Sequence, residues 1–275
     1  MTLITRPGSD HTAYDRTGHG AGHGAETIIL IHGLGLCRAI WQPFITDLQQ
    51  RYQVITYDLY GHGESGPAPE PPSLAVFAQQ IDKLMEACGA DNAHIIGFSI
   101  GGMINRRLAM DFPQRCRSLT ILNSPHDRGR EAQAQVEARA LRVRDEGKMA
   151  TLADALERWF TPGFRQAQPE ILDQVRMWRQ ITDDASYAGA AWVLANGVEE
   201  LIRPDPPLTL PTCVVTTARD TGSTPAMATE IAAEISGARL HLLPDLQHLG
   251  LIEQPQLFID IINAFLDEIH REEKP

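Results

Sequence analysis

Six short apolar runs, most of them followed by a longer amphipathic stretch, constrain the fold of this chain more than any other feature. They are TIILIH (27–32), QVITYD (53–58), AHIIGF (93–98), CRSLTILN (116–123), TCVVTTA (212–218) and ARLHLLP (238–244). A strand that is apolar without alternation needs cover on both faces. Helices between such strands supply it, so the pattern predicts a parallel sheet built from right-handed βαβ units. The intervening segments fit. WQPFITDLQQ (41–50) has helical spacing, and 74–90 sets Leu74, Phe77, Ile81, Leu84, Met85 and Cys88 on one helical face. Ser73 is placed to cap that helix and Gly89 to end it. Further helices are predicted after Ser99 to about Phe112, over 225–236 and over 255–269.

The alternation lapses from Pro125 to Asp205. That stretch is polar and helical in composition, with no convincing strand, and the proline-rich RPDPPLTLP (203–211) closes it. The simplest organisation is a sheet domain in two pieces, 1–124 and 206–275, with a helical insertion over 125–205. A chain of 275 residues is long enough for a large core of this kind.

Composition narrows the function classes. A net charge of −11 argues against nucleic acid and anionic membranes as partners, but a local arginine pocket would still accept an anionic small molecule. Cys37, Cys88, Cys116 and Cys213 are scattered without a CxxC pair, so neither zinc ligation nor a disulfide framework is expected. MTLITRPGSDH has no apolar signal core, and no run approaches the ~20 residues of a membrane span. A reducing cytoplasm is the expected compartment.

The chemistry centres on GFSIG (97–101). A buried strand runs into Ser99 and a helix leaves it. A strand-to-helix turn this sharp needs small residues on both flanks. It lifts the hydroxyl above the C-terminal edge of the sheet, where open parallel sheets bind ligands. A serine nucleophile needs a base, and the base an orienting acid. Among ten histidines, His248 in LLPDLQHLGLIEQP lies on a loop at the same sheet edge. The loop ARDTGSTP after the fifth run offers Asp220 as the acid; Asp245, three residues before His248, would have to fold back on it, and the end of SLTILN carries Asn123 in place of a carboxylate. The N–H groups of Leu34, in HGLG (32–35), and of Ile100 are the candidate oxyanion donors. No cofactor and no metal are required by this chemistry.

HGLG, YDLYGHGES, GFSIGG, ARDTGSTP and QHLGLIEQP, in this order and spacing, resemble the α/β-hydrolase superfamily across nearly the whole chain. The resemblance implies an eight-stranded, mostly parallel sheet flanked by helices, with a helical cap inserted after the sixth strand. Within the superfamily, ERWFTPGF (157–164), DDASYAGAAWVL (183–194) and QHLGLIEQP resemble the 3-oxoadipate enol-lactonases. Such enzymes open a small enol-lactone bearing a carboxylate, so a small-molecule substrate is implied.

Other residues carry secondary readings. Trp159, Trp178 and Trp192 of the insertion are candidates for lining a pocket, and Arg128 and Arg130 for pairing with a substrate carboxylate. His11, His19 and His23 around GHGAGHG (18–24) have no Cys or acidic cluster to complete a metal site. His62 and Asp58 read as structural groups of the GHGES loop. Carbon–carbon or amide hydrolysis, a slow-turnover ligand sensor, and a cofactor-independent oxygenase using only the His–Asp pair are the competing functions.

Overall fold

A computed structural model of the chain describes residues 2–4, 11–18 and 26–272. Eight strands form one sheet in the order β1-β2-β4-β3-β5-β6-β7-β8. They are β1 (Thr2–Ile4), β2 (Thr12–Thr17), β3 (Thr27–Ile31), β4 (Gln53–Tyr57), β5 (Ala93–Phe98), β6 (Cys116–Leu122), β7 (Thr212–Thr217) and β8 (Arg239–Leu243). From β4 to β8 every pairing is parallel, while β1 and β2 are antiparallel. The six apolar runs are the six parallel strands. The two antiparallel strands escaped the pattern because TAYDRT is short and half polar, as suits a strand near an edge.

Helices α1 (Gln42–Leu48), α2 (Leu74–Cys88), α3 (Ile100–Asp111), α9 (Pro225–Glu234), α10 (Gly250–Glu253) and α11 (Pro255–Glu272) belong to the sheet's connections. Between β6 and β7 the chain is helical: α4 (Gly129–Glu146), α5 (Leu152–Trp159), α6 (Pro162–Ala167), α7 (Pro169–Ile181) and α8 (Asp184–Asn196). Successive strand residues point to opposite faces, and each face has its own core. Ile29, Ile31, Ile55 and Ile95 pack with Phe77, Ile81 and Leu84 of α2 and with Ile104 and Leu108 of α3. Ile28, Leu30, Val54 and Ile96 pack with Phe44 and Leu48 of α1 and with Phe258, Ile262 and Phe265 of α11. Full burial of one such side chain contributes roughly 1.5–3 kcal/mol.

Local signals end the helices as the sequence predicts. Ser73 Oγ accepts the Val76 N–H at the start of α2, and Gly89 closes it in the left-handed region at φ 67°. Strand order reverses at β3, whose neighbours β4 and β5 are reached by connections leaving in opposite directions. The loops after β3 and β5 therefore diverge and leave a crevice at the C-terminal edge of the sheet. HGLG and GFSIG stand on its two sides.

Candidate active site

Ser99 lies between β5 and α3 with φ 57° and ψ −117°. L residues seldom adopt this backbone, which costs on the order of 1–3 kcal/mol. Close packing enforces it. A Cβ on Gly97 would fall 2.1 Å from the Gly101 carbonyl oxygen, and one on Gly101 would fall 2.5 Å from that of Ile31. No side chain fits at either flank of the serine. The Ser99 N–H donates to Leu122 O at 2.9 Å, which pins the turn to the neighbouring strand β6.

Asp220 follows β7 and His248 follows β8. The His248 Nδ1–H donates to Asp220 Oδ2 at 2.6 Å. Asp220 is 3% exposed, yet four donors reach its carboxylate: Asn123 Nδ2 (2.8 Å), Gly222 N–H (2.8 Å) and Ser223 N–H (3.0 Å) join His248. Burial pushes this carboxyl up, but His248, Asn123 and the Ser223 N–H together outweigh it and hold the pKa below the ordinary value. A carboxylate that stays ionised at this depth accepts the His248 Nδ1–H and fixes the orientation of the ring. Nε2 has no partner among the described residues. The ring rests against Phe98, with centroids 4.9 Å apart, and near Trp159 at 6.2 Å. Ser99 and His248 line one cavity without a hydrogen bond between them in this structure.

Ile100 opens α3, so its N–H has no acceptor within the helix. Leu34 lies in the turn after β3 and lines the cavity. Neither N–H donates to another group among the described residues. The turn is fixed from below by His32, which is fully buried. Its Nδ1–H donates to Gly33 O at 2.8 Å, and its Nε2 accepts the Leu59 N–H at 2.9 Å. Burial keeps this imidazole neutral and lowers its pKa to about 4. Asp58, in the loop after β4, accepts the Arg38 N–H at 2.7 Å and the Glu64 N–H at 3.0 Å, and its carboxylate pairs with the Arg38 guanidinium. His62 is buried there against the Tyr60 carbonyl.

The roof of the cavity comes from α4, α5, α7 and α8. Val136, Arg139, Ala140 and Val143 form one stripe of α4, and Ala155, Arg158 and Trp159 one stripe of α5. Arg179 comes from α7, and Tyr187, Ala191 and Leu194 from α8. Arg128 lines the wall where the chain leaves the sheet. Its guanidinium donates to the carbonyls of Leu194 (2.8 Å) and Ala195 (3.2 Å) at the end of α8.

Of the five pocket candidates read from sequence, Trp159 and Arg128 line the cavity, whereas Trp178, Trp192 and Arg130 do not. Trp178 packs against the apolar cluster that contains Phe160, Leu172 and Val175. Trp192 is 48% exposed because it follows Ala191, the inward residue of α8, by a ~100° rotation. Arg130 lies in the first turn of α4, exposed, before the inward stripe begins. Arg139, Arg158, Arg179 and Asn123 were missed. The arginines were legible only as helical residues in register with small apolar neighbours, such as Arg139 beside Val136, Ala140 and Val143.

Two metal questions have separate answers. His19 and His23 lie outside the described residues, and His11 bonds to the Glu64 carbonyl at 3.1 Å. At the opposite edge of the sheet Glu26, His94 and His270 offer donor atoms within 4.8 Å of one another. Those donors already bond one another, and Arg117 pairs with the same carboxylate at 2.6 Å. All four cysteines are buried and free, and burial raises the Cys37, Cys116 and Cys213 thiols to about 12.

A strand order with this switch point, and a strained serine at its crevice, match a known family over most of the chain. The sequence profile of the alpha/beta hydrolase fold aligns with residues 26–255. The chain belongs to the α/β-hydrolase family. Among similar α/β-hydrolases is 3-oxoadipate enol-lactonase 2 of Acinetobacter baylyi, 31% identical over 240 residues that span 87% of this chain and 88% of that one. A second protein of that organism, (E)-2-((N-methylformamido)methylene)succinate hydrolase, is 24% identical over 92% of this chain and 95% of its own. The crystal structure of the enol-lactonase from Burkholderia xenovorans LB400 superposes with a TM-score of 0.86 at 27% identity, covering 94% of this chain and 97% of that one. No helix among the described residues is long and apolar enough to cross a membrane.

Proposed function

We propose that this α/β-hydrolase cleaves an ester or lactone of a small, carboxylate-bearing substrate through an acyl-enzyme. The observation that carries the reading is the 2.6 Å His248–Asp220 bond on the cavity that also holds the strained Ser99. In this mechanism Ser99 Oγ attacks the carbonyl while His248 Nε2 takes its proton. Asp220 orients the imidazole and stabilises its charged form. The Leu34 and Ile100 N–H groups receive the oxyanion. The C–O bond breaks as His248 returns the proton to the leaving oxygen, which stays tethered to the acyl group when the substrate is a lactone. Water, deprotonated by His248, then releases the acid and restores Ser99. The helices α4–α8, residues 125–205 with their flanks, act as a cap that selects the substrate while the sheet supplies the chemistry.

The likeness to enol-lactonases favours a lactone over an open-chain ester, and the arginines of the roof favour an anionic one. Likeness to a hydrolase named for a formamido-methylene succinate makes amide cleavage on the same residues the second reading. Turnover of a matched panel of a butenolide acetate, an aryl ester and an N-acyl enamine separates the two. Ser99→Ala is expected to lower kcat/KM on the preferred member by at least about 10⁴-fold. Full turnover by that variant would remove Ser99 from the mechanism and leave the His–Asp pair as a base acting alone.

A further inference from the structure

Four guanidiniums, those of Arg128, Arg139, Arg158 and Arg179, line the cavity, and among the described residues none of them is ion-paired with a carboxylate. Scarcity of acids does not explain this, since the chain has 35 Asp and Glu against 24 Lys and Arg. On α4 itself, Arg142 and Arg144 face outward and pair with Glu146 (3.0 Å) and Asp145 (2.8 Å). Arg139 lies one turn before Arg142 and has no ion pair among the described residues. Among the described residues the only acid lining the cavity is Asp220, which is bonded to His248.

The four do not stand alike. Arg128 is held by carbonyls at the end of α8. Arg179 is 1% exposed; its Nη2 donates to Thr151 Oγ1 at 2.6 Å and its plane lies over the Tyr187 ring at 4.6 Å. Its Nε and Nη1 are buried with no hydrogen-bond partner. Donors left unsatisfied at that depth are costly unless a ligand takes them. Arg139 and Arg158 have no polar partner among the described residues. Burial, with Arg158 close to each, depresses the Arg139 and Arg179 guanidiniums below their ordinary pKa. One carboxylate neutralises one charge and engages one guanidinium fork fully. Arg139 and Arg158 present two unpartnered forks and Arg179 its remaining Nε and Nη1 donors, from three helices, more than the two oxygens of a single carboxylate engage fully.

We infer that the substrate carries two carboxylates besides the carbonyl under attack, held by Arg139, Arg158 and Arg179 beneath α4, α5 and α7. This rests on the hydrolase reading above and adds a substrate class to it, an ester or lactone of a tricarboxylic skeleton. Arg128 adds to the field of the cavity and has a structural duty at α8.

Titration calorimetry on the Ser99→Ala protein tests this without turnover. The probes are glutarate, pentanoate of the same chain length, and propyl phosphate. Glutarate is expected to bind about tenfold or more tighter than either of the others. Arg139→Gln and Arg158→Gln, both at partly exposed positions, should each cost about tenfold in glutarate affinity, with partial recovery in Arg158→Lys. Equal binding of glutarate and pentanoate, tighter binding of the phosphate, or Gln variants that bind glutarate like their parent would each overturn the inference. A protein that binds glutarate as expected but cleaves no ester, lactone or amide would instead overturn the hydrolase reading and leave the dicarboxylate site standing.

Discussion

At the scale of single residues, Asn123 deserves more weight than its type suggests. It sits at φ 44°, and its Nδ2 reaches Asp220 Oδ2 (2.8 Å) and Thr217 Oγ1 (2.9 Å). It is a positioning residue in the proposed mechanism, because it acts on His248 only through the carboxylate. Asn123→Ala is expected to lower kcat/KM by about tenfold, the loss of one hydrogen bond to a charged group, while leaving KM nearly unchanged. Asn123→Ser, which retains a donor, should recover part of it. A loss confined to KM would place Asn123 in substrate binding instead. The sequence makes Ser99, Asp220 and His248 candidates because GFSIG follows a buried strand and the loops after the fifth and sixth runs carry an acid and a histidine at the same sheet edge, in the order Ser, Asp, His. It hides Asn123 because an amide after a strand has no motif of its own. It also hides Arg139, Arg158 and Arg179, since a helical arginine reads as a solvated face until the neighbouring helices fix which stripe points inward.

At the scale of elements, the crossing of β5 and α3 governs the geometry of Ser99. Gly97→Ala would press a methyl against the Gly101 carbonyl at 2.1 Å, with backbone on both sides and no flexible side chain to yield. The expected cost is about 3 kcal/mol or more in a denaturant titration, with loss of activity in whatever remains folded. Gly163→Ala makes the contrast. Gly163 lies inside α6, with nothing within 4 Å of its added Cβ, and is expected to be neutral or to gain about 0.5–1 kcal/mol. The parallel strands and their helices are legible in advance because each carries its own periodicity and caps. The short strands β1 and β2 are not, since β2 is placed by pairing with β4 and β1 by pairing with β2 rather than by local pattern.

At the scale of the whole molecule, the buried histidines couple stability to pH. His32 is fully buried and neutral, with its pKa lowered by burial from 6.5 to about 4. Its unfolded form binds a proton first as pH falls. Its contribution is therefore complete above about pH 6.5 and is lost as pH falls towards 4, amounting to ~3 kcal/mol across that window. His62, held neutral by burial beside His32, acts in the same direction. Urea midpoints measured between pH 8 and 4 should fall with pH, and His32→Gln should flatten part of that slope despite lowering the midpoint overall. A slope unchanged by the substitution would assign the acid sensitivity to other groups.

The His248 loop and the end of α5 are joined directly. The Leu249 N–H donates to Trp159 O at 2.9 Å, and Gln247 Nε2 donates to the carbonyls of Glu157 (3.0 Å) and Arg158 (3.1 Å). Every arginine of the cavity lies between residues 128 and 179, whereas Ser99, Asp220 and His248 all lie outside that interval. In the proposed mechanism selectivity and chemistry lie on separate stretches of one chain, and this seam is one of the places where the two are joined, beside Thr161 with Glu253 and the Asp183 N–H with Gly61 O. A descendant can exchange its preferred acid by altering the helices alone, provided the backbone carbonyls of 157–159 still meet Gln247 and Leu249. Those bonds use main-chain acceptors, which no substitution removes, so the seam tolerates drift in the side chains that choose the substrate.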